Sequence, residues 1–260
     1  NYIYVKSLYF CFKEKIVQTI RFFYAFLDDG SRCFICNKRS LFLPVCKSCI
    51  KKFYSVENAF SLNRCMYCGK ELISTHDTCM KCRENRVIAS CDYVMPLFSY
   101  RLWNKELLYH WKIEGNRSLS SFFSSLVKEA LLKLNESIIV PVPPRKGKIQ
   151  KNGWDQIDDL FQFLEKMYGF RVLKILQRCS LQEQKKLNRQ ERLETIKSAY
   201  SLLPEAAFRK ELQKNKGILP EKVCLLDDVC TTGSTIECCA QILKKAGIKK
   251  VGVITLFTVD

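Results

Sequence analysis

No stretch of this 260-residue chain stays apolar long enough to span a bilayer. The apolar core of a secretory signal is missing as well, so neither a membrane-spanning nor an exported protein is expected. Residues 2–27 are rich in Phe, Tyr, Ile and Leu. Lys6, Lys13, Glu14, Lys15 and Arg21 interrupt them, and an amphipathic helix over 1–28 that packs on the rest of the protein or lies on a membrane surface is the expectation. Negative charge is also scarce. Against 43 Lys and Arg stand 26 Asp and Glu, a net charge of +17, which favours phosphorylated ligands, nucleic acid or both. No internal repeat appears outside one cysteine-rich stretch.

What the chain has in quantity is cysteine, 15 in all. Eight fall in four Cys-x-x-Cys knuckles: Cys33/Cys36, Cys46/Cys49, Cys65/Cys68 and Cys79/Cys82. Each knuckle presents two thiolates on one tight turn, half of a tetrahedral Zn²⁺ site. Two structural zinc ions in tandem ribbons follow most simply from pairing neighbouring knuckles, with an interleaved pairing left open. A disulfide framework competes, and the absence of a secretory signal weighs against it. His76 is read as a loop histidine, because eight thiols already complete two sites. Cys91, Cys179, Cys224, Cys230, Cys238 and Cys239 read as small apolar fillers, in keeping with a reducing, cytoplasmic compartment. Cys230 is the one with a candidate reactivity, and Cys11 has no evident role.

The densest signal is Val-Cys-Leu-Leu-Asp-Asp-Val-Cys-Thr-Thr-Gly-Ser-Thr at 223–235. An apolar run ends in two carboxylates, Asp227 and Asp228, expected to be exposed at a strand end. A loop of small residues, Thr231 to Thr235, leads into a helical pattern through Ile236, Ala240, Leu243 and Ala246 that Gly247 stops. A second apolar run, 251–259, completes a βαβ unit. Thr231, Thr232, Gly233, Ser234 and Thr235 offer backbone N–H groups and hydroxyls at a helix N-terminus, which suits a phosphate. The carboxylates suit sugar hydroxyls or a hydrated Mg²⁺. Together they describe a ribose 5-phosphate.

This stretch resembles the motif of type I phosphoribosyltransferases that binds 5-phosphoribosyl 1-pyrophosphate (PRPP). The resemblance implies an α/β fold, a parallel sheet flanked by helices. It also implies that Asp227 and Asp228 face the ribose 2- and 3-hydroxyls while residues 231–235 cradle the 5-phosphate. Thr231 stands where purine-salvage members often carry an Asp base, which argues against purine salvage.

Patterning assigns strands within 83–100, helices over 103–111 and 119–134 with a turn at Gly115, and a strand over 137–142. A basic loop with Arg145, Lys146, Lys148 and Lys151 follows. Then come a helix over 157–167, a strand over 172–176, a polar stretch over 178–198 and a partly helical insertion over 203–221. With these pieces the resemblance narrows to the ComF family of competence-associated proteins, which join a double zinc ribbon to a phosphoribosyltransferase-like domain. It is carried by Trp111-Lys112-Ile113-Glu114-Gly115-Asn116-Arg117, by Val140-Pro141-Val142-Pro143 with Gly153-Trp154-Asp155-Gln156, and by Arg178, Gln184, Leu187, Arg192, Ala199 and Tyr200. Asn152, Trp154, Asp155, Leu181 and Thr195 depart from the family pattern. PRPP binding is therefore implied, and an acceptor is not.

The implied organisation is a helix over 1–28, a double zinc ribbon over 29–88 and a phosphoribosyltransferase-like domain over 89–260. Two functions are expected from it. One is DNA uptake in natural transformation, through PRPP or phosphoribosyl nucleotide binding, single-stranded DNA and uptake-machinery proteins as partners. Lys47, Lys51, Lys52 and Arg64 of the ribbons, or basic loops at 145–151 and 185–192, would hold the strand, with Tyr67 or Trp154 stacking on bases. The other is an enzyme of nucleotide metabolism that transfers phosphoribosyl to a base or amine. There Mg²⁺, Arg145 and Lys112 would neutralise the leaving pyrophosphate.

Overall fold

The computed structural model describes residues 32–40, 43–144, 156–179 and 199–259. The proposed N-terminal helix, the basic loop with Arg145, Trp154 and most of the polar stretch at 178–198 lie outside these.

Strands β1 (Tyr93–Ser99), β2 (Ile138–Pro141), β3 (Arg171–Val172), β6 (Lys222–Cys230) and β7 (Lys250–Thr258) form a five-stranded sheet in the order β1-β7-β6-β2-β3. Every pairing in it is parallel, so this is the expected α/β sheet. Parallel sheets bury both faces, and β6 and β7 read accordingly: Val223 to Leu226 and Val251 to Phe257 are all buried. β7 is central enough for Gly252 to matter: a Cβ there would meet the Tyr93 ring at 2.0 Å.

Alternation along β6 divides the core. Cys224 and Leu226 join the side covered by α4 (Trp103–Lys112), α5 (Ser118–Lys133) and α6 (Gln156–Lys166). Val223 and Leu225 join the side covered by α8 (Ser234–Lys245). A two-stranded antiparallel hairpin of β4 (Leu176–Arg178) and β5 (Tyr200–Leu202) leads into α7 (Glu205–Leu212). The single strand expected over 172–176 is thus split. Val172 closes the sheet edge, while Leu176 pairs with Leu202 in the hairpin.

The ribbons are short loops with one helical corner each. Cys46 precedes α1 (Lys47–Phe53) and Cys79 precedes α3 (Met80–Glu84), so the second knuckle of each pair sits on a helix start. Between the ribbons runs α2 (Val56–Ser61), capped by the Ser55 side chain on the Asn58 N–H. Cys33, Val45, Cys49, Tyr54, Val56 and Ala59 are buried in the same cluster as Leu107, Trp111 and Phe257. The first ribbon therefore shares a core with the sheet. No helix among the described residues is long and apolar enough to cross a membrane.

Candidate functional site

The structure gathers the cysteines as two separate tetrads, Cys33/Cys36/Cys46/Cys49 and Cys65/Cys68/Cys79/Cys82, each with its sulfurs within 4.8 Å of one another. These are sequential pairs of knuckles. Cys36 and Cys46 sulfurs lie 3.7 Å apart, as do those of Cys68 and Cys79. Four sulfurs at Zn–S bond length around a tetrahedral ion stand about 3.8 Å apart, so each donor set fits a structural zinc. The N–H groups of Ile35 and Cys46 donate to Cys33 Sγ at 3.4 and 3.3 Å. Burial opposes ionisation of Cys33, and these donors overcome it and bring the thiol down to about 7. Cys65 is treated the same way in the second ribbon, by Cys68, Cys79 and Tyr67 N–H groups. His76 is exposed and belongs to neither tetrad.

The second constellation lies at the C-terminal end of β6, a sheet position where ligands of parallel α/β folds commonly bind. Asp227 and Asp228 stand inside the strand rather than at its end. Asp227 is in register with Thr255 of β7, and pairing continues to Cys230 opposite Thr258. Both carboxylates are only partly exposed, which corrects the expectation of an open strand end. As neighbours in a strand they leave on opposite faces. Asp228 forms an ion pair with Lys112, the last residue of α4. Asp227 accepts the Asp228 N–H at 2.8 Å. Its charge, secondary to burial, helps raise the thiols of Cys230 and Cys239 on the α8 side. Burial first, and Asp228 second, push the Asp227 carboxyl well above the usual carboxylate range. Cys230 is pushed up to about 11, so it is a filler rather than a reactive thiol.

The loop after β6 is shorter than read from the sequence, because α8 already starts at Ser234. Gly233 takes φ +82° as its N-cap, a conformation that favours glycine. Thr231 and Thr232 are exposed, and the Thr232 and Ser234 hydroxyls lie 3.0 Å apart. Thr235 reaches the Tyr200 hydroxyl. Arg178 donates to that same hydroxyl at 3.2 Å and sits 5.3 Å from the ring, which brings the β4–β5 hairpin to the loop. Lys112 thus meets Asp228, Thr235 meets Tyr200, and residues 231–235 follow β6 directly, while Arg145 lies outside the described residues.

Two residues of this region carry no motif signal. Glu237, in the first turn of α8, accepts the N–H groups of Ala89 and Ser90 at 2.8 and 2.9 Å and the Ser90 hydroxyl at 2.7 Å. It ties the segment that follows the second ribbon to the helix that follows the loop. Ile88 of that segment lies where a Gly233 Cβ would stand, 2.6 Å away. The only hint in the sequence is an acidic residue in a first helical turn, which ordinary dipole preference also explains.

A parallel α/β sheet with a small-residue helix entry near a strand end, joined to two four-cysteine ribbons, defines a two-part class: a cysteine-tetrad module on a parallel α/β domain. No family model matches the chain. Among curated relatives, it is 27% identical over 214 residues to Competence protein ComFC of Streptococcus pneumoniae, covering 82% of this chain and 86% of that one. It is 27% identical over 224 residues to Competence protein F of Haemophilus influenzae, covering 80% and 88%. To Competence protein ComFC of Bacillus subtilis it is 24% identical over 235 residues, covering 83% and 89%. The chain is thus similar to these competence proteins over about four-fifths of its length.

Proposed function

We propose that the protein acts in competence, the process its relatives are named for, by binding PRPP or a phosphoribosyl nucleotide at the end of β6 and single-stranded DNA on its ribbons. The observation that carries the ligand reading is the succession of two carboxylates near the end of β6, a short loop of small residues and the glycine-capped start of α8. In this reading the N-terminal N–H groups of α8 and the hydroxyls of Thr231, Thr232, Ser234 and Thr235 take the 5-phosphate. Asp227 and Asp228 accept from the ribose hydroxyls. Lys112 holds Asp228 in place and leaves Asp227 as the less neutralised carboxylate.

With one of two carboxylates already paired, the donor set suits a Mg²⁺ that arrives with pyrophosphate and keeps most of its waters, rather than a dedicated protein site. When bound, such an ion would neutralise pyrophosphate charge. The zinc sites are structural: each has four thiolates and no open position. In this reading a double ribbon over 29–88 and a phosphoribosyltransferase-like domain over 89–260 are the two parts, and the first ribbon shares core with the sheet.

Titration calorimetry with PRPP and Mg²⁺ tests the ligand. Heats of binding in the wild type, abolished in the Asp227→Asn, Asp228→Asn double variant, are expected. Unchanged affinity in the double variant would refute the site.

A second reading, phosphoribosyl transfer, is favoured by the raised Asp227 carboxyl, since perturbed groups gather at catalytic sites. A nitrogen nucleophile would form a bond to ribose C1 as the bond to pyrophosphate breaks, with pyrophosphate carrying off the electron pair. Pyrophosphate release from PRPP against a panel of bases and amines decides between ligand and substrate.

A further inference from the structure

The cleft between the two ribbons and the start of α4 has a volume of about 270 Å³ and is lined by Phe53, Leu62, Trp103, Lys52 and Arg64. We propose that it is the stacking site for an unpaired base of a single-stranded nucleic acid. This rests on the nucleic-acid reading above and gives it a place and a mode.

Trp103 is 38% exposed and its ring lies 5.5 Å from that of Phe53, tilted by 52°. Its partly open ring offers an apolar face on which a flat partner can stack. It is also held still. The next residue, Asn104, accepts from the buried Tyr54 hydroxyl and donates to the Ser99 carbonyl at 2.8 Å. That fixes the first turn of α4 against both α1 and β1. A rigid aromatic loses little freedom when a base lands on it.

The surroundings choose the occupant. Lys52 Nζ stands 5.1 Å from the centre of the Phe53 ring. Arg64 is pinned by its bonds to the Ala59 and Gly69 carbonyls, so its charge stays at the cleft. One acid, Glu71, also lines the cleft beside Arg64, and Lys47, Lys51 and Lys105 are exposed elsewhere on α1 and α4. Aromatic faces among backbone-tracking cations are what sequence-tolerant single-strand binding needs. Tyr67, the ribbon aromatic that the sequence offered for this role, has its face covered by the Arg86 guanidinium at 3.8 Å. The cleft and the β6 loop are separate: Lys112 follows Trp103 by nine positions along α4, about 14 Å of helix.

The test is fluorescence anisotropy with a labelled oligothymidylate of about a dozen nucleotides, on the zinc-loaded full chain, with saturating PRPP absent and present. Trp103→Ala should weaken binding about tenfold or more at fixed salt. Trp103→Phe should bind nearly as the wild type does, since Phe also stacks. Lys52→Glu should weaken binding and flatten the salt dependence, whereas Trp103→Ala should leave that slope unchanged. Saturating PRPP should change none of these affinities. Photocrosslinking of the same oligonucleotide to the wild type should label peptides containing Phe53 or Trp103, which decides the matter even if Trp103→Ala loses its zinc. Crosslinks elsewhere, or Trp103→Ala binding as the wild type does, would overturn the cleft while leaving nucleic-acid binding intact. A wild type that binds no oligonucleotide at low ionic strength would overturn the nucleic-acid reading itself, and the cleft with it.

Discussion

Single residues of β6 and of the loop after it bear on stability in ways that predict measurable trade-offs. Asp227 has its carboxyl raised by burial and by Asp228. An acid whose folded-state value lies above its unfolded one costs stability where it is charged in the fold, above the folded value. The cost fades as pH falls toward the unfolded value near 4. Asp227→Asn should therefore raise stability by about 1–2 kcal/mol at pH 8, and the gain should vanish near pH 4. Urea melts of the two proteins across that range check it, and a pH-independent difference would assign the effect to something other than ionisation. Gly233 makes a second case. Its φ of +82° and the 2.6 Å approach of Ile88 both oppose a Cβ. Gly233→Ala should cost about 1–3 kcal/mol. Combining it with Ile88→Ala should remove the overlap and keep only the backbone strain, so the double variant should lose less than the sum of the singles. Strict additivity in a thermodynamic cycle would mean that Ile88 simply moves aside.

At the scale of elements, patterning alone found most of what positions the site. The helical period over Leu107, Leu108 and Trp111 marked α4, and the apolar runs at 223–226 and 251–257 marked β6 and β7, because both are buried on two faces. Spacing also found the tetrads, since a Cys-x-x-Cys pair fixes its own geometry. Reasoning from the sequence failed where partners are distant. Leu176 belongs to the hairpin only because Leu202 lies beside it. The segment after the second ribbon meets α8 through Glu237, 147 residues from Ser90, and no local rule anticipates that. Hydrogen bonds from Ala89 and Ser90 hold the Glu237 carboxyl below its usual value against the effect of burial. A depressed acid contributes stability above its unfolded value, near 4.3, and loses it as pH falls through the folded one. Glu237→Ala leaves two part-buried N–H groups without this acceptor and should cost about 1–2 kcal/mol near neutral pH, less in acid. Amide exchange at Ala89 and Ser90 should quicken in this variant. If those amides stay protected, the clasp is not what orders the segment.

Across the whole molecule, both ribbons converge on one site by different routes. The first packs the Phe34 ring 4.7 Å from that of His110 and buries Tyr54 beside Asn104, both on α4, and α4 ends in the Lys112 that pairs with Asp228. The second sets Gly69 so close to Val94 and Pro96 of β1 that a Cβ would stand 2.3 and 2.4 Å from them, and its exit segment meets Gly233 and Glu237. From the sequence, loss of one zinc is expected to loosen the ribbons and spare the sheet. The continuous core of the first ribbon with Leu107, Trp111 and Phe257 argues otherwise. Metal supplies much of the folding energy of such small modules. Cys33→Ser should therefore release one zinc, lower the melting temperature of the whole chain and weaken PRPP binding by loosening Lys112. Cys65→Ser should release the other zinc and weaken PRPP binding through Gly233 and Glu237 instead. Zinc content, a single thermal transition and calorimetric affinity, read on the same preparations, separate these routes. Full PRPP affinity in a chain that has lost a zinc would show that the ribbons cap the sheet without shaping its site.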